Sequence, residues 1–315
     1  MYLKNLCKYI FVLGLLLILI GVLYAKQDML EDLYKNQVYK DSDYVVKNKN
    51  EYYRDYDFVY VKNVNSLVAR KKRDIRDILY TGINTGATSF DFKCSTDYKN
   101  CLKDLEEIAN DNTQLSNINN FVHPYNSFKK IHTTYTNLGI VTVDIVPMYS
   151  KEQIEAINNK INSLYPALTN GYNKNNINSV KNTITTIHNY IINTTKYDSD
   201  RADKKIIKYQ SDIAYGPLFE GYALCGGYTD LLELFLEKME IKSYKISSDK
   251  HVWNAVKIDN EWYNVDLTWD DPVTNTGEDM LLTDYLLIDS NTMLHKDTSQ
   301  HIFDQEVYYE LKVHN

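Results

Sequence analysis

The chain has 315 residues, which at roughly 150 residues per domain points to about two domains and excludes a small stapled scaffold. Its 35 Lys+Arg against 42 Asp+Glu leave a net charge of −7, so the basic field that a phosphate backbone requires is absent and nucleic-acid binding is excluded. With 44% apolar residues and only 11 Gly and 5 Pro, collagen-like and disordered architectures are excluded as well.

Residues 9–25 (YIFVLGLLLILIGVLYA) form an uncharged run of 17, preceded by Lys4 and Lys8 and followed by Lys26, Asp28, Glu31 and Asp32. That length meets the lower limit of a spanning helix and slightly exceeds a signal-peptide apolar region, so segment 1–26 reads as a signal anchor or a signal peptide. Leu23 and Tyr24 make a poor small-x-small site before Ala25, which favours the anchor. The basic flank places everything after Lys26 outside the cytoplasm, membrane-anchored through this helix or secreted after cleavage. In that compartment disulfides persist. Cys94 and Cys101 bracket a short polar stretch and suit a local bridge, which leaves Cys225 unpaired, while Cys7 stays at the cytoplasmic flank. Zinc ligation by Cys94 and Cys101 lacks a second ligand pair, and no metal is expected.

Residues 27–58 are polar and Tyr-rich and read as a stalk. A small α/β domain follows over 59–165. Its expected elements are a strand at Phe58–Val64, a helix at Ser66–Thr81, a strand at Ser89–Phe92 and a helix at Tyr98–Asn110. Strands Lys129–Tyr135 and Ile140–Pro147 then meet at the turn Asn137-Leu138-Gly139. Ser150 and Gln153 form a capping box for a helix whose Ile154, Ile157, Ile161 and Leu164 recur at helical spacing until Pro166. An Asn-rich connection over 169–182 leads into a stripe of Val180, Ile184, Ile187, Tyr190 and Ile191, and a second domain spans 175–315. The basic run Arg70–Arg73 reads as a solvated helix face, and His123, Tyr125, Asn126, His132 and His188 as structural polar groups.

The chemistry concentrates between Tyr215 and Pro272. Tyr228, Leu231, Leu232, Phe235 and Met239 define a helix that begins at Cys225, where the helix dipole and free N–H groups favour a thiolate. Gly226 and Gly227 are expected to let a substrate backbone come close, with the Cys225 amide as an oxyanion donor. Downstream, Asp259-Asn260 suits a two-residue hairpin turn. Pairing Ile258 with Glu261 then puts Val252, Val256, Ile258, Tyr263, Val265 and Leu267 on an apolar face, with Asn254 as its polar exception. His251, Trp253 and Ala255 lie on the other face, against Thr268, Asp266 and Asn264, which makes His251 and Asp266 diagonal neighbours. A thiol, an imidazole and a carboxylate in these places can serve as nucleophile, base and orienter.

The motifs CGGY (225–228), HVWN (251–254) and VDLTWDDP (265–272) resemble those of the transglutaminase-like superfamily. The likeness extends upstream to IHNYIINTTKYD (187–198) and downstream to DYLLIDS (284–290). It implies an α+β fold with a papain-like transglutaminase core, a Cys-bearing helix packed on an antiparallel sheet, and Cys225, His251 and Asp266 as catalytic triad. The upstream Gln or Trp that gives relatives a second oxyanion donor is absent near Phe219, with Tyr222 or Tyr215 as substitutes. Asp270 and Asp271 read as turn residues before Pro272. The expected activity is cofactor-free thiol acyl transfer on a protein or peptide substrate, including cell-envelope peptides, with hydrolysis favoured over cross-linking. Gly226, Tyr222, Trp253 and Trp269 are the candidate substrate contacts. The alternative is a catalytically idle domain binding peptides or wall polymers in a groove rimmed by Trp253, Trp262 and Trp269.

Overall fold

A computed structural model describes residues 2–27, 29, 40–273, 280–296 and 299–313, with the side chains of 2–8, 10 and 11 left aside. Helix α1 (Tyr2–Ala25) is 24 residues long. Its side chains from Val12 to Tyr24 that are large and apolar are exposed. Over the described residues, however, no helix is long and apolar enough to cross a membrane, so the expected span gains no support from the structure. Residues 28 and 30–39 of the stalk reading lie outside the described residues.

The first sheet has the order β1 (Val68–Ala69), β2 (Ser89–Cys94), β4 (Ile140–Pro147), β3 (Phe128–Tyr135), with β1–β2 parallel and the other pairs antiparallel. Helices α2 (Lys72–Asn84), α3 (Cys101–Ala109) and α4 (Asn112–Asn119) cover its apolar face. Alternation in β4 works as read, because Val141, Val143 and Ile145 are buried with Phe92 and Ile131. The strand expected at Phe58–Val64 does not form. Lys62 N–H donates to Asp77 Oδ1 at 3.1 Å and Val64 N–H to Thr81 Oγ1 at 3.0 Å, so side chains of α2 take the bonds a strand neighbour would need. The first helix begins at Lys72 instead of Ser66, since Val68 and Ala69 are drawn into the sheet by Lys93 and Cys94. Helix α4 was not foreseen. Asp111 caps it, accepting from Thr113 N–H at 2.9 Å and Gln114 N–H at 3.1 Å.

Helix α5 (Lys151–Leu168) carries the expected capping box and runs two residues past Pro166, which has no N–H to bond back to the preceding turn. Helix α6 (Ile177–Thr194) leads to β5 (Lys196–Tyr197) and α7 (Ser199–Lys204); β5 pairs in parallel with β6 (Tyr222–Ala223). Then come α8 (Cys225–Lys238) and the antiparallel sheet β7 (Ser243–Ser247), β8 (Val252–Ile258), β9 (Glu261–Val265). The chain ends through the short α9 (Leu267–Asp270) and α10 (Ser290–Lys296).

This second sheet is buried on both sides. Val256, Ile258 and Val265 pack into one apolar cluster with α6 and α8. Tyr244, Ile246, Trp253 and Ala255 pack into another, which also holds Ile75, Phe92 and Val143 of the first unit and Phe303, Val307 and Tyr308 of the C-terminal segment. Buried packing therefore runs across the 165–175 connection. The Tyr308 hydroxyl fastens the junction, donating to Asn117 Oδ1 at 3.0 Å and accepting from Asn120 Nδ2 at 2.8 Å and Ser247 N–H at 3.1 Å.

Arg54 makes a second junction. Its guanidinium, 2% exposed, donates to Phe121 O at 3.0 Å and pairs with Glu233 and Glu237 of α8. Burial pushes Glu233 up to about 7 even beside that charge. Replacing Arg54 by Ala strands a buried carboxylate, so urea denaturation of R54A should show a loss of about 3–5 kcal/mol. An unchanged midpoint would refute the junction's importance.

Candidate active site

Cys225 opens α8 and is partly buried. The preceding residue, Leu224, has extended backbone and gives no side-chain cap, so the first-turn N–H groups of α8 receive no capping side chain. Gly226 and Gly227 serve a purpose other than the expected one. A Cβ at Gly226 would lie 2.7 Å from Asp212 O and one at Gly227 2.4 Å from Ser211 O. The glycines admit the chain's own 211–213 backbone against the helix start, and Leu224 N–H donates to Ser211 O at 2.6 Å there.

The hairpin register is the expected one, Ile258↔Glu261 and Ala255↔Asn264. It stops earlier than expected, because β9 ends at Val265 and Asp266 N-caps α9. Asp266 Oδ1 accepts from Thr268 N–H at 2.9 Å and Trp269 N–H at 3.3 Å, which turns the chain out of the sheet. Oδ2 stays directed at His251, whose Nε2 is 2.5 Å away. An ionised carboxylate can only accept, so Nε2 carries the proton and Nδ1 is left for the thiol. Cys225 lies close enough to the same imidazole to help raise its pKa. Asn254, the polar exception on the apolar face, explains how sheet and helix keep this distance. Its Nδ2 donates to Thr229 O at 3.1 Å, and Thr229 Oγ1 lies 2.7 Å from Cys225 O and 3.2 Å from Val252 O. The first turn of α8 is thus riveted to β8 one residue beyond His251.

A second histidine reaches the same carboxylate. His301 Nε2 lies 2.8 Å from Asp266 Oδ2, fully buried. Its ring stacks on Tyr285 at 5.2 Å and meets Trp253 and Trp269 edge-on at 5.0 and 5.1 Å. Sequence reasoning missed His301. It lies 35 residues past Asp266 in a segment without regular structure, and no pattern in the sequence marks it. Burial works against the charged form of His251, but the Asp266 carboxylate and then Cys225 push it up to about 10. Burial would likewise raise Asp266, yet His251 and His301 hold it well below the usual carboxylate range. His251, Asp266 and His301 offer three donor atoms within 4.8 Å of one another, a set that could hold a metal ion, but both Nε2 groups are spent on Asp266 Oδ2 as hydrogen-bond donors.

The remaining candidates are dispersed. Trp253 is fully buried, its Nε1–H donating to Asn264 Oδ1 at 2.9 Å, so it cannot contact substrate or rim a groove; it supports His251 from below at 5.8 Å. Trp269 is half-buried against His301 and Tyr285. Trp262 packs edge-on to Tyr244 at 5.0 Å. Tyr222 stacks flat on Tyr209 at 4.1 Å, and Tyr215 on Phe219 at 4.6 Å. Tyr197, opposite Ala223 in the β5–β6 pair, lies near enough to Cys225 for their charges to interact, although burial dominates its raised pKa. Asp270 and His188 form a buried pair at 3.0 Å, and Asp271 accepts from the Tyr228 hydroxyl, which fits their reading as structural groups. Cys94 and Cys101 are disulfide-bonded with Cα atoms 5.9 Å apart, and Cys225 is a free cysteine.

No family model matches the chain, and no curated protein matches it either. Among solved structures it is similar to one described as a TGase, with TM-score 0.32, 14% identity and 45% of each chain covered. It is also similar to a proposed cysteine protease from Cytophaga hutchinsonii, with TM-score 0.27, 12% identity, 49% of this chain and 65% of that one. The chain thus spans less than two thirds of either neighbour, and overlaps this loose carry no argument about activity.

The charges predict a pH signature. His251 rises from 6.5 to about 10 on folding, so its stabilisation is complete below pH 6.5 and fades as pH climbs towards 10. Asp266 is lowered from 3.8, so its share is present above that value and is lost as pH falls further. The difference in urea stability between wild type and H251F should peak at about pH 5–6 and shrink steadily towards about pH 10. A difference independent of pH would contradict the charge pairing.

Proposed function

We propose that this chain is a thiol acyl-transfer enzyme acting on peptide or Gln and isopeptide amides, with hydrolysis as its outcome. The observation that carries the reading is one imidazole bonded through Nε2 to Asp266 and engaged by Cys225 at an uncapped helix start. Nδ1 of His251 takes the thiol proton, and the thiolate adds to the substrate carbonyl carbon. The resulting oxyanion meets N–H groups at the start of α8, that of Cys225 among them. His251 then returns the proton to the departing amine, leaving a thioester on Cys225. Water, deprotonated by the same nitrogen, releases the acid and restores the thiol. Cys225 is only partly buried, which leaves the thioester within reach of water and favours hydrolysis over transfer to an amine. We further propose an extracytoplasmic location with α1 as tether, on the strength of the uncharged run 9–25 and its basic flank.

The first test is the pH dependence of Cys225 alkylation by iodoacetamide in the full-length protein. The apparent pKa should fall to about 3.5–7.5 and return towards about 8.5 in H251A. A value near 8.5 in both proteins would overturn the acyl-transfer reading. Hydrolysis of a peptide library should be abolished in C225A; isopeptide products without cleavage would overturn the preference for water.

A further inference from the structure

We propose that His301 is a positioning residue for the Cys225–His251 pair, sharing Asp266 Oδ2 with His251 and thereby moderating how tightly His251 holds its proton. The proposal rests on the reading of Cys225, His251 and Asp266 as an acyl-transfer triad.

The geometry separates two duties of Asp266. Its place in the chain is held through Oδ1, which accepts from Thr268 N–H at 2.9 Å and Trp269 N–H at 3.3 Å, and through its own N–H, which donates to Tyr285 O at 3.0 Å. None of these bonds involves His301. The His301 bond falls instead on Oδ2, the oxygen that His251 uses. A second donor on one carboxylate oxygen draws off part of the charge available to the first. The site pays for that donor by burying an imidazole in a box of Trp253, Trp269 and Tyr285, where a phenyl ring would enter without desolvating a polar group.

The consequence lies in proton transfer. His251 must be basic enough to take the thiol proton and acidic enough to give it to a leaving amine, and a base held too firmly protonated fails at the second task. Without His301, Oδ2 acts on His251 alone. The imidazolium becomes more stable, the thiolate–imidazolium pair survives to higher pH, and the proton is surrendered less readily. The groups bearing on His251 are Asp266 and Cys225, and those bearing on Asp266 are the two imidazoles. The neighbouring acids Asp270 and Asp271 are engaged by His188 and Tyr228.

Titration of the His251 imidazolium by NMR in full-length H301F, H301L and H301Q tests this, with iodoacetamide alkylation of Cys225 alongside. Phe and Leu remove the donor, so the imidazolium midpoint should move about one pH unit to the alkaline side of wild type while the alkylation midpoint stays low. Gln carries an N–H that can reach Oδ2 and should bring the imidazolium midpoint back to within a few tenths of a unit of wild type. A structural role would loosen the pair, lowering the imidazolium midpoint and moving the alkylation midpoint towards the ordinary thiol at about 8.5. That result overturns the proposal, as does an unchanged imidazolium midpoint, a Gln variant indistinguishable from the apolar ones, or failure of both apolar variants to fold. If the wild-type thiol itself titrates near 8.5 and ignores H251A, the triad reading fails. If the thiol titrates low but the imidazolium does not respond to His301, only the present proposal fails.

Discussion

A single buried carboxylate organises this structure. Asp266 is 1% exposed and ionised, and a charge removed from water is tolerated only when its lone pairs are taken up by well-placed donors. Two backbone N–H groups and two imidazoles supply them. Each donor comes with a structural demand. The backbone pair requires β9 to stop at Val265 and the chain to turn into α9. His251 requires the strand before the hairpin to arrive at one height. His301 requires the C-terminal segment to come back across the sheet. Satisfying one ion thus fixes three stretches of chain that are distant in sequence.

Those stretches are held in place by a sheet with no free face. β7–β9 lies between two apolar clusters, with α8 on one side and the first unit, together with Phe303, Val307 and Tyr308, on the other. Side chains of β8 alternate between them, so a slip of one residue would exchange the partners of Asn254 and Trp253. Asn254 would lose Thr229, and Trp253 would lose Asn264. The register that suits packing is therefore the one that sets His251 beside Cys225. The first unit, whatever further role it has, supplies half of the wall behind the site.

Local patterns were legible in the sequence where one physical rule dominated. The Asp259-Asn260 turn, with the strict alternation beside it, specifies the hairpin register, and the Ser150–Gln153 box specifies a helix start. Cys225 is legible as a helix opening, because the apolar stripe begins just behind it. Where long-range partners decide, the pattern misleads. Residues 58–64 look like a strand, yet Asp77 and Thr81, side chains from a helix later in the chain, claim their backbone donors. Gly226 and Gly227 look like room for substrate, but the space is filled by residues 211–213. Trp253 looks like a binding surface because aromatic residues suit cores and grooves alike; only the position of the C-terminal segment shows which one it joins. His301 carries no local signal because its place beside Asp266 depends wholly on where a loop is brought by packing elsewhere.

The start of α8 shows how stability and chemistry compete in this fold. Helices α4, α5, α6, α7 and α9 are each capped by the side chain of the preceding residue, namely Asp111, Ser150, Asn176, Asp198 and Asp266. Leu224, ahead of α8, offers none, and neither do Lys71 ahead of α2 and Asn100 ahead of α3. A polar cap is worth about 1 kcal/mol, and its absence leaves first-turn donors without an internal partner. A Ser or Asp at 224 would recover that stability, but its oxygen would turn onto the N–H groups of the second and third helical residues, Gly226 and Gly227, beside the thiol. It would add negative charge or a competing acceptor where an oxyanion must form. The missing cap belongs with the unpaired thiol and the doubly bonded Asp266. Each is a local departure from the most stable choice, and all three converge on the carbonyl group that Cys225 attacks in the proposed reaction.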